Sequence, residues 1–399
     1  VTAPVVGSDG TSRAFPQEVP VDAAFVGMSG DRLRQAVRTF KRQQRRGLFP
    51  GGQIAVRRHG NLVLNEAVGI ARGFLPEHRE QAVVTTPQTL FPCFSAGKAV
   101  IAIIVAMLEE RGKLSVEQPV ATYFPEFAAG GKEKITVLDV LTHRGGVLMP
   151  EFCKQVEAWA DWDKVVEAMI AAEPSHRRGT LAYHPLEYGW VLSEVIQRVD
   201  GRTVQQFVLD ELAGPLGLPE LRFGARPSEL DRVGRSYWVG RGAFKIAGLD
   251  ISGVFESFHH RPELMTIFLP GAGLMSNAAT LAGFYEMLVD GGTTPDGERL
   301  LSRDTIRKYT TRHVMGWDRS NNAPIVLGRG FFLGTKTTNI YGWWDTGDCF
   351  GHAGAFCSLG WGDHRLGIAV GIVTNGNSSP MDLVTRMIPL CDAIRKACR

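Results

Sequence analysis

The sequence predicts an α/β (α+β) fold in which one antiparallel sheet, flanked by helices, is interrupted by an inserted all-helical lobe. Three observations carry this expectation. Paired apolar stretches of strand character stand near both chain ends, Gly52–Arg58 with Leu62–Gly69 and Phe356–Trp361 with Leu366–Val373. Between about Val116 and Leu218 the apolar spacing is instead helical, punctuated by Gly and Pro. The 399 residues, 44% apolar and 21% charged, allow a large core and exclude a disordered chain, a collagen and a coiled coil. We therefore expect a discontinuous sheet domain, 1–94 with 270–399, around a mainly helical lobe at 95–269.

The elements follow in order. After a loose arm rich in Gly, Ser and Pro (Thr2 to Pro20), Asp31–Gly47 sets apolar side chains among Arg and Lys at the spacing of a surface helix. In Arg58-His59-Gly60-Asn61 the Gly-Asn centre suits a tight turn between two antiparallel strands. Ser95 to Gly112 reads as a helix that runs through the apolar stretch Ala99–Leu108, then turns charged at Glu109, Glu110 and Arg111 before a Gly stop. A helix apolar on all sides belongs inside the protein. Within the lobe, Thr136–Thr142, Trp159–Ala172, Glu187–Val199 and Val204–Ala213 are candidate helices. After Pro270 come a helix at Ala278–Leu288, a turn-rich loop from Gly291 to Gly297, a second hairpin about Gly362-Asp363-His364-Arg365, and a closing helix, Asp382–Ala397.

Composition narrows the function classes. A net charge of +3 implies no nucleic acid or other polyanion as partner. The ten-residue run Ala99–Leu108 is about half of what a bilayer-spanning helix requires, so no membrane span is expected. Six cysteines (Cys93, Cys153, Cys349, Cys357, Cys391, Cys398) are too few for a disulfide scaffold and lack zinc-site spacing; they read as mostly buried thiols. The first residues lack the charged start and apolar middle of a signal peptide, which favours a cytoplasmic protein and leaves open export with a segment removed.

Three places can carry chemistry. Ser95-Ala96-Gly97-Lys98 opens the buried helix and puts serine and lysine on one face. Unpaired N–H groups at a helix start stabilise an oxyanion, and a lysine short of water loses its proton more easily and can act as a base. Taken alone, the same four residues also describe an ordinary serine cap with a first-turn lysine. The second place is Leu181-Ala182-Tyr183-His184-Pro185, where Tyr183 lies on the loop entering a helix and is either a packed aromatic or a proton shuttle beside Lys98. The third is Phe350-Gly351-His352-Ala353-Gly354-Ala355-Phe356, a Gly-rich entry to the apolar strand. It is either a turn or a substrate edge at which the Ala355 N–H is a second oxyanion donor.

Rival readings are weaker. No G-x-S-x-G elbow is present, and Gly27-Met28-Ser29-Gly30 has the wrong spacing. His143, His184 and His352 suggest a Ser-His-Asp triad, but Lys98 with Tyr183 makes a histidine base unnecessary, and His143 reads as structural in a turn. His259-His260 lacks a carboxylate at ligand spacing, Asn377-Ser378-Ser379 is followed by Pro380, and Cys93 has apolar neighbours without a basic partner.

Ser95-x-x-Lys98, Tyr183 and the late Gly-rich tripeptide, in this order and spacing, resemble the serine beta-lactamase / penicillin-binding-protein-like superfamily, on its class C side. The segments Gln118–Phe127, Ile135–Gly146 and Pro270–Ser276 resemble it as well, so the likeness runs from about Gly51 to Asn375. Two departures matter. The lactamase Y-x-N motif here ends in Pro185, without a side-chain amide, and K-T-G is replaced by His352-Ala353-Gly354. With Tyr183, His184, Tyr188, Gly189 and Trp190, the sequence is closest to the family VIII carboxylesterases.

The resemblance implies a beta-lactamase/transpeptidase-like fold, with the active site between sheet and lobe. It implies a serine carboxylesterase in which Ser95 forms an acyl-enzyme and Lys98 with Tyr183 serves as base and proton shuttle. The N–H groups of Ser95 and Ala355 would form the oxyanion hole, and His352, Ala353 and Gly354 would bind a small, largely neutral ester. Transfer of the acyl group to another alcohol is in reach. No metal and no organic cofactor is implied, because nucleophile and base are protein groups, and the oligomeric state stays open. The alternatives are an amide substrate, such as a beta-lactam or D-amino-acid peptide, and a non-catalytic family member. Trp343, Trp344, Phe350 and Trp361 are expected as an apolar pocket wall, a role that core packing would also explain.

Overall fold

In the computed structural model, which describes residues 4–6, 12–14, 18–241, 245–246, 249–250, 253, 261–355, 358–379 and 381–398, both ends of the chain feed one sheet. Its strands are β1 (Gly51–Arg58), β2 (Asn61–Arg72), β3 (Val83–Val84), β7 (Val314–Asp318), β8 (Ala323–Leu327), β9 (Phe332–Leu333), β10 (Cys349–Gly354), β11 (Ser358–Asp363) and β12 (Ile368–Thr374). Among the described residues they lie in the order β7-β8-β9-β10-β11-β12-β1-β2-β3, antiparallel throughout. The join between the two chain ends is the β12–β1 pair, running from Ile368 opposite Arg58 to Thr374 opposite Gly52. A smaller sheet sets β4 (Phe91–Phe94) and β5 (Arg222–Phe223) on either side of β6 (Leu274–Ser276).

Alternation along the strands sorts side chains between two layers. Ile54, Val56, Val370 and Ile372 face helices α1 (Gly30–Arg45) and α9 (Asp382–Lys396), whereas Ala55 and Ala369 face the opposite layer. That layer holds α2 (Lys98–Glu110), α3 (Val137–Leu141), α4 (Trp162–Ala171), α5 (Glu187–Asp200), α6 (Val204–Val208) and α7 (Ala278–Val289), with α8 (Arg303–Thr310) after it. The centre of the larger core is α2, every residue of which from Lys98 to Leu108 is buried. Its apolar surface on all sides is what excludes water around the lysine that begins it. Among the described residues no helix is long and apolar enough to cross a membrane.

Several expectations need correction. The first hairpin turns on His59 and Gly60, whose φ values are 51° and 77°, one residue earlier than the Gly-Asn centre. Asn61 instead donates its side-chain amide to the His59 carbonyl at 2.8 Å. The segment from Cys349 to Gly354 is a strand in its own right, six residues paired with β11, and not merely the entry to one; Phe356, expected to start the next strand, lies outside the described residues. A run of Gly and small side chains hid this strand, because it packs through close backbone approach and not through bulky alternation. Helix α8 and the β7–β8 hairpin were not expected, and the helix predicted from Trp159 starts at Trp162, after a 3-10 turn over Val156–Ala160.

Candidate active site

Strand β4 delivers the chain to Ser95 through a strained corner. Phe94 has φ 50° and ψ −132°, a left-handed backbone that bulky residues avoid, and it is held there by pairing with Leu274 and by burial of its ring. Ser95 opens a 3-10 turn, Ser95–Gly97, whose start carries no side-chain cap, and α2 follows directly. Ser95 is half-buried while Ala96, Gly97 and Lys98 are buried.

Lys98 Nζ stands 3.0 Å from Ser95 Oγ and donates to two backbone carbonyls, Pro185 at 2.6 Å and Gly271 at 2.7 Å. The second carbonyl is aimed by a close approach. A Cβ on Gly189 of α5 would lie 2.2 Å from the Gly271 nitrogen, so only glycine lets the loop before β6 press onto α5. Burial pulls the Lys98 amine down to about 7, against a smaller upward pull from Glu187.

Tyr183 is buried with its ring centroid 5.1 Å from Lys98 Nζ. Its backbone N–H donates to Asp318 Oδ1 at 2.8 Å, and the Arg319 N–H donates to the Leu181 carbonyl, which docks the β7–β8 hairpin on this loop. Burial pushes the Tyr183 phenol up, while contact with the Ser95 hydroxyl acts in the other direction. His352, on β10, stacks on Phe332 at 4.4 Å and lies 6.4 Å from the Tyr183 ring. Its Nδ1 sits 2.7 Å from the Ala353 carbonyl, and burial with Lys98 nearby drives it down to about 3. Gly354 brings β10 against β4: a Cβ there would lie 2.1 Å from the Cys93 carbonyl, which also accepts the Ser358 hydroxyl at 2.6 Å. Ala355 follows at the end of β10, half-buried.

The structure thus gathers Ser95, Lys98 and Tyr183 in direct contact, with His352 beside Tyr183, Ala353 and Gly354 following on β10, and Ala355 just past its end. His143, at φ 55°, packs its ring 4.6 Å from that of Tyr183 and 5.0 Å from that of Tyr188, and its Nδ1 accepts the His184 N–H at 3.1 Å. Both ring nitrogens of buried His184 lack a hydrogen-bond partner among the described residues, and burial pushes that imidazole down to about 3. Cys93 is buried with its thiol pushed up, and Cys153, Cys349 and Cys391 are buried free thiols. The expected aromatic wall does not form. Phe350 and Trp361 are fully buried in two different core clusters, while Trp343 and Trp344 are exposed beside Arg395 around a depression of about 130 Å³. His259, His260, Phe356, Cys357 and Pro380 lie outside the described residues. Among the described residues no group of three or more His, Cys, Asp and Glu is placed to hold a metal ion.

Two residues that touch this arrangement were missed. Glu187 looks in the sequence like any acid in a first helical turn. Asp318 precedes Arg-Ser-Asn-Asn, a turn signal that could have revealed the hairpin.

The Beta-lactamase family model matches residues 33–387. The "Esterase/beta-lactamase LipL" of Mycobacterium tuberculosis is 29% identical over 376 residues, 89% of this chain and 84% of that protein. A crystal structure of a penicillin-binding protein homologue from Caulobacter crescentus superposes with a TM-score of 0.80 at 28% identity, covering 93% of this chain and 99% of that one. A family VIII carboxylesterase structure gives 0.77 at 24% identity, covering 94% and 99%, and supports the fold. With a family match spanning most of the chain and the same fold in these structures, the protein belongs to the beta-lactamase family.

Proposed function

We propose that the protein is a serine carboxylesterase acting on small, largely neutral esters through an acyl-enzyme on Ser95. The observation that carries the reading is the seat of Lys98. A neutral amine has two N–H bonds and one lone pair. The carbonyls of Pro185 and Gly271 take the two N–H bonds, which leaves the lone pair facing Ser95 Oγ at 3.0 Å. An amine held near 7 is close to half neutral at neutral pH and able to accept the serine proton.

In this mechanism Ser95 Oγ adds to the ester carbonyl carbon as its proton passes to Lys98 Nζ. The N–H groups of Ser95 and Ala355 hold the oxyanion, a role favoured by the uncapped start of the 3-10 turn and by the Gly354–Cys93 contact. On collapse the leaving alkoxide takes the proton of the Tyr183 phenol, which burial keeps protonated, and Lys98 restores that proton. Water then attacks the acyl group by the same relay and releases the acid, or an alcohol takes its place. The expectation of a neutral substrate is favoured by His352, which at about 3 stays uncharged and offers no cation to a carboxylate. Pro185, having no side-chain amide, gives its carbonyl to Lys98. We read the same site as lying between the interrupted sheet domain (1–94 with 270–399) and the helical lobe (95–269).

The test is turnover of short-chain p-nitrophenyl esters by the wild type, Ser95→Ala and Lys98→Ala, with mass detection of an acyl group on Ser95. Both variants are expected to lose turnover; undiminished turnover in both overturns the assignment. Nitrocefin turnover matching ester turnover would move the substrate class to lactams.

A further inference from the structure

Lys98 and a buried carboxylate hold opposite ends of one peptide group. The carbonyl of Pro185 accepts Lys98 Nζ at 2.6 Å, and the N–H of the same peptide, on Leu186, donates to Glu187 Oε2 at 3.2 Å. The other oxygen, Oε1, accepts the Met149 N–H at 2.8 Å and faces Cys153 Sγ at 3.5 Å. Glu187 is only 3% exposed, and its hydrogen-bond partners are two backbone N–H groups and a thiol, so no cation touches it directly. A carboxylate taken out of water is costly unless a counter-charge is near. Lys98 lies one peptide away and feels this carboxylate, and hydrogen bonds at both ends of a peptide polarise it cooperatively.

We propose that Glu187 is a positioning residue for Lys98, acting through the Pro185–Leu186 peptide: it fixes the carbonyl that aims the amine at Ser95 and supplies the negative charge that balances the ammonium formed when Lys98 takes the serine proton. The inference rests on the esterase reading above. The groups facing Lys98 come from several elements: Ser95 from its own turn, His143 after α3, Tyr183 and His184 before α5, Glu187 and Tyr188 on α5, and His352 on β10. The three histidines are all driven down by burial and stay neutral, and both phenols are pushed up and stay neutral. Within this set the Glu187 carboxylate is the group that favours the protonated lysine.

The experiment is the pH dependence of kcat/KM with p-nitrophenyl acetate, and of fluorophosphonate labelling of Ser95, in the wild type, Glu187→Gln and Glu187→Asp. Without the negative charge, Lys98 gives up its proton more readily, so the acid-limb midpoint of Glu187→Gln is expected about one pH unit lower. The plateau should fall as well, because the carbonyl is less well fixed. Glu187→Asp keeps the charge and is expected to keep the wild-type midpoint with a reduced plateau; it carries the test alone if Glu187→Gln does not fold. A plateau loss in Glu187→Gln with an unmoved midpoint, or a lowered midpoint in Glu187→Asp, overturns the proposal while a Ser95-dependent wild type leaves the esterase reading standing. A wild type whose turnover survives Ser95→Ala overturns both.

Discussion

Lys98 and Lys132 are both fully withdrawn from water, both donate to two backbone carbonyls, and both lie over aromatic rings. Burial lowers the pKa of each. Their neighbours separate them. The carbonyls that hold Lys132 belong to Ile170 and Ala172 at the C-terminal end of α4, where a cation meets the negative end of the helix dipole and caps groups that would otherwise be unpaired. Lys98 is held by carbonyls from a loop before α5 and a loop before β6, and its third direction is filled by the Ser95 hydroxyl. Burial and two carbonyls make an amine a strut. On the esterase reading, a hydroxyl in the remaining direction gives it a proton to take.

The comparison breaks most clearly at the lysines themselves. Lys98→Met is expected to lower kcat/KM for p-nitrophenyl esters by about 10²–10⁴-fold, the range of a lost general base, beside a stability cost of about 1–3 kcal/mol for the unpaired Pro185 and Gly271 carbonyls. If turnover is unchanged, Lys98 is a strut as well. A smaller loss is expected from Gly189→Ala, whose Cβ must displace the Gly271 backbone and with it one of the two carbonyls on Lys98. Misplacement of this kind costs up to about 10²-fold in kcat/KM, and the overpacking costs about 1–3 kcal/mol of stability, both readable from kinetics and denaturant melts.

The pH dependence sharpens the same contrast. With Lys98 near 7, wild-type kcat/KM should fall about tenfold for each pH unit below that value, because the protonated amine is no base. For stability the sign is opposite to that of a salt-bridged lysine. Between about 7 and the ordinary value of 10.5 the unfolded chain keeps a proton that folded Lys98 has lost. Folding therefore gains from this group as pH rises through that window, and Lys98→Met should flatten the slope of Tm against pH there. The mildest effect on activity belongs to Lys132→Met. It is expected to cost about 1–3 kcal/mol by leaving the α4 carbonyls unpaired, with kcat/KM for the same esters unchanged. Inactivation without destabilisation would show that the two lysines do not differ in kind.

Much of the site was legible because its residues are local in the chain. Ser95 and Lys98 sit one helical turn apart, and the apolar run Ala99–Leu108 announced that their helix would be buried. Tyr183 stood out by its place before a helix start. The late-strand tripeptide His352-Ala353-Gly354 was read with its neighbour Ala355, but its own strand was not, since glycines pack by letting backbones approach and leave no alternating pattern. Glu187 and Asp318 were illegible for a different reason. Each acts by bonding a backbone N–H, Glu187 that of Leu186 and of distant Met149, Asp318 that of Tyr183 far off in the chain; neither kind of contact leaves a mark at the donor's position.

What the sequence by itself determined is therefore the fold class, the buried helix and the chemical types of the candidate reacting groups, since hydrophobic periodicity and short-range spacing are properties of the chain. The tertiary structure decided which two carbonyls grip Lys98, that the amine rests near 7, that His352 is neutral, and that the tryptophans expected to line a pocket are split between core and surface. Each of these depends on how much water remains around a group and on which distant backbone atoms replace it. Desolvation is set by everything that packs around a residue, and that inventory is assembled only when the sheet closes on its inserted helices.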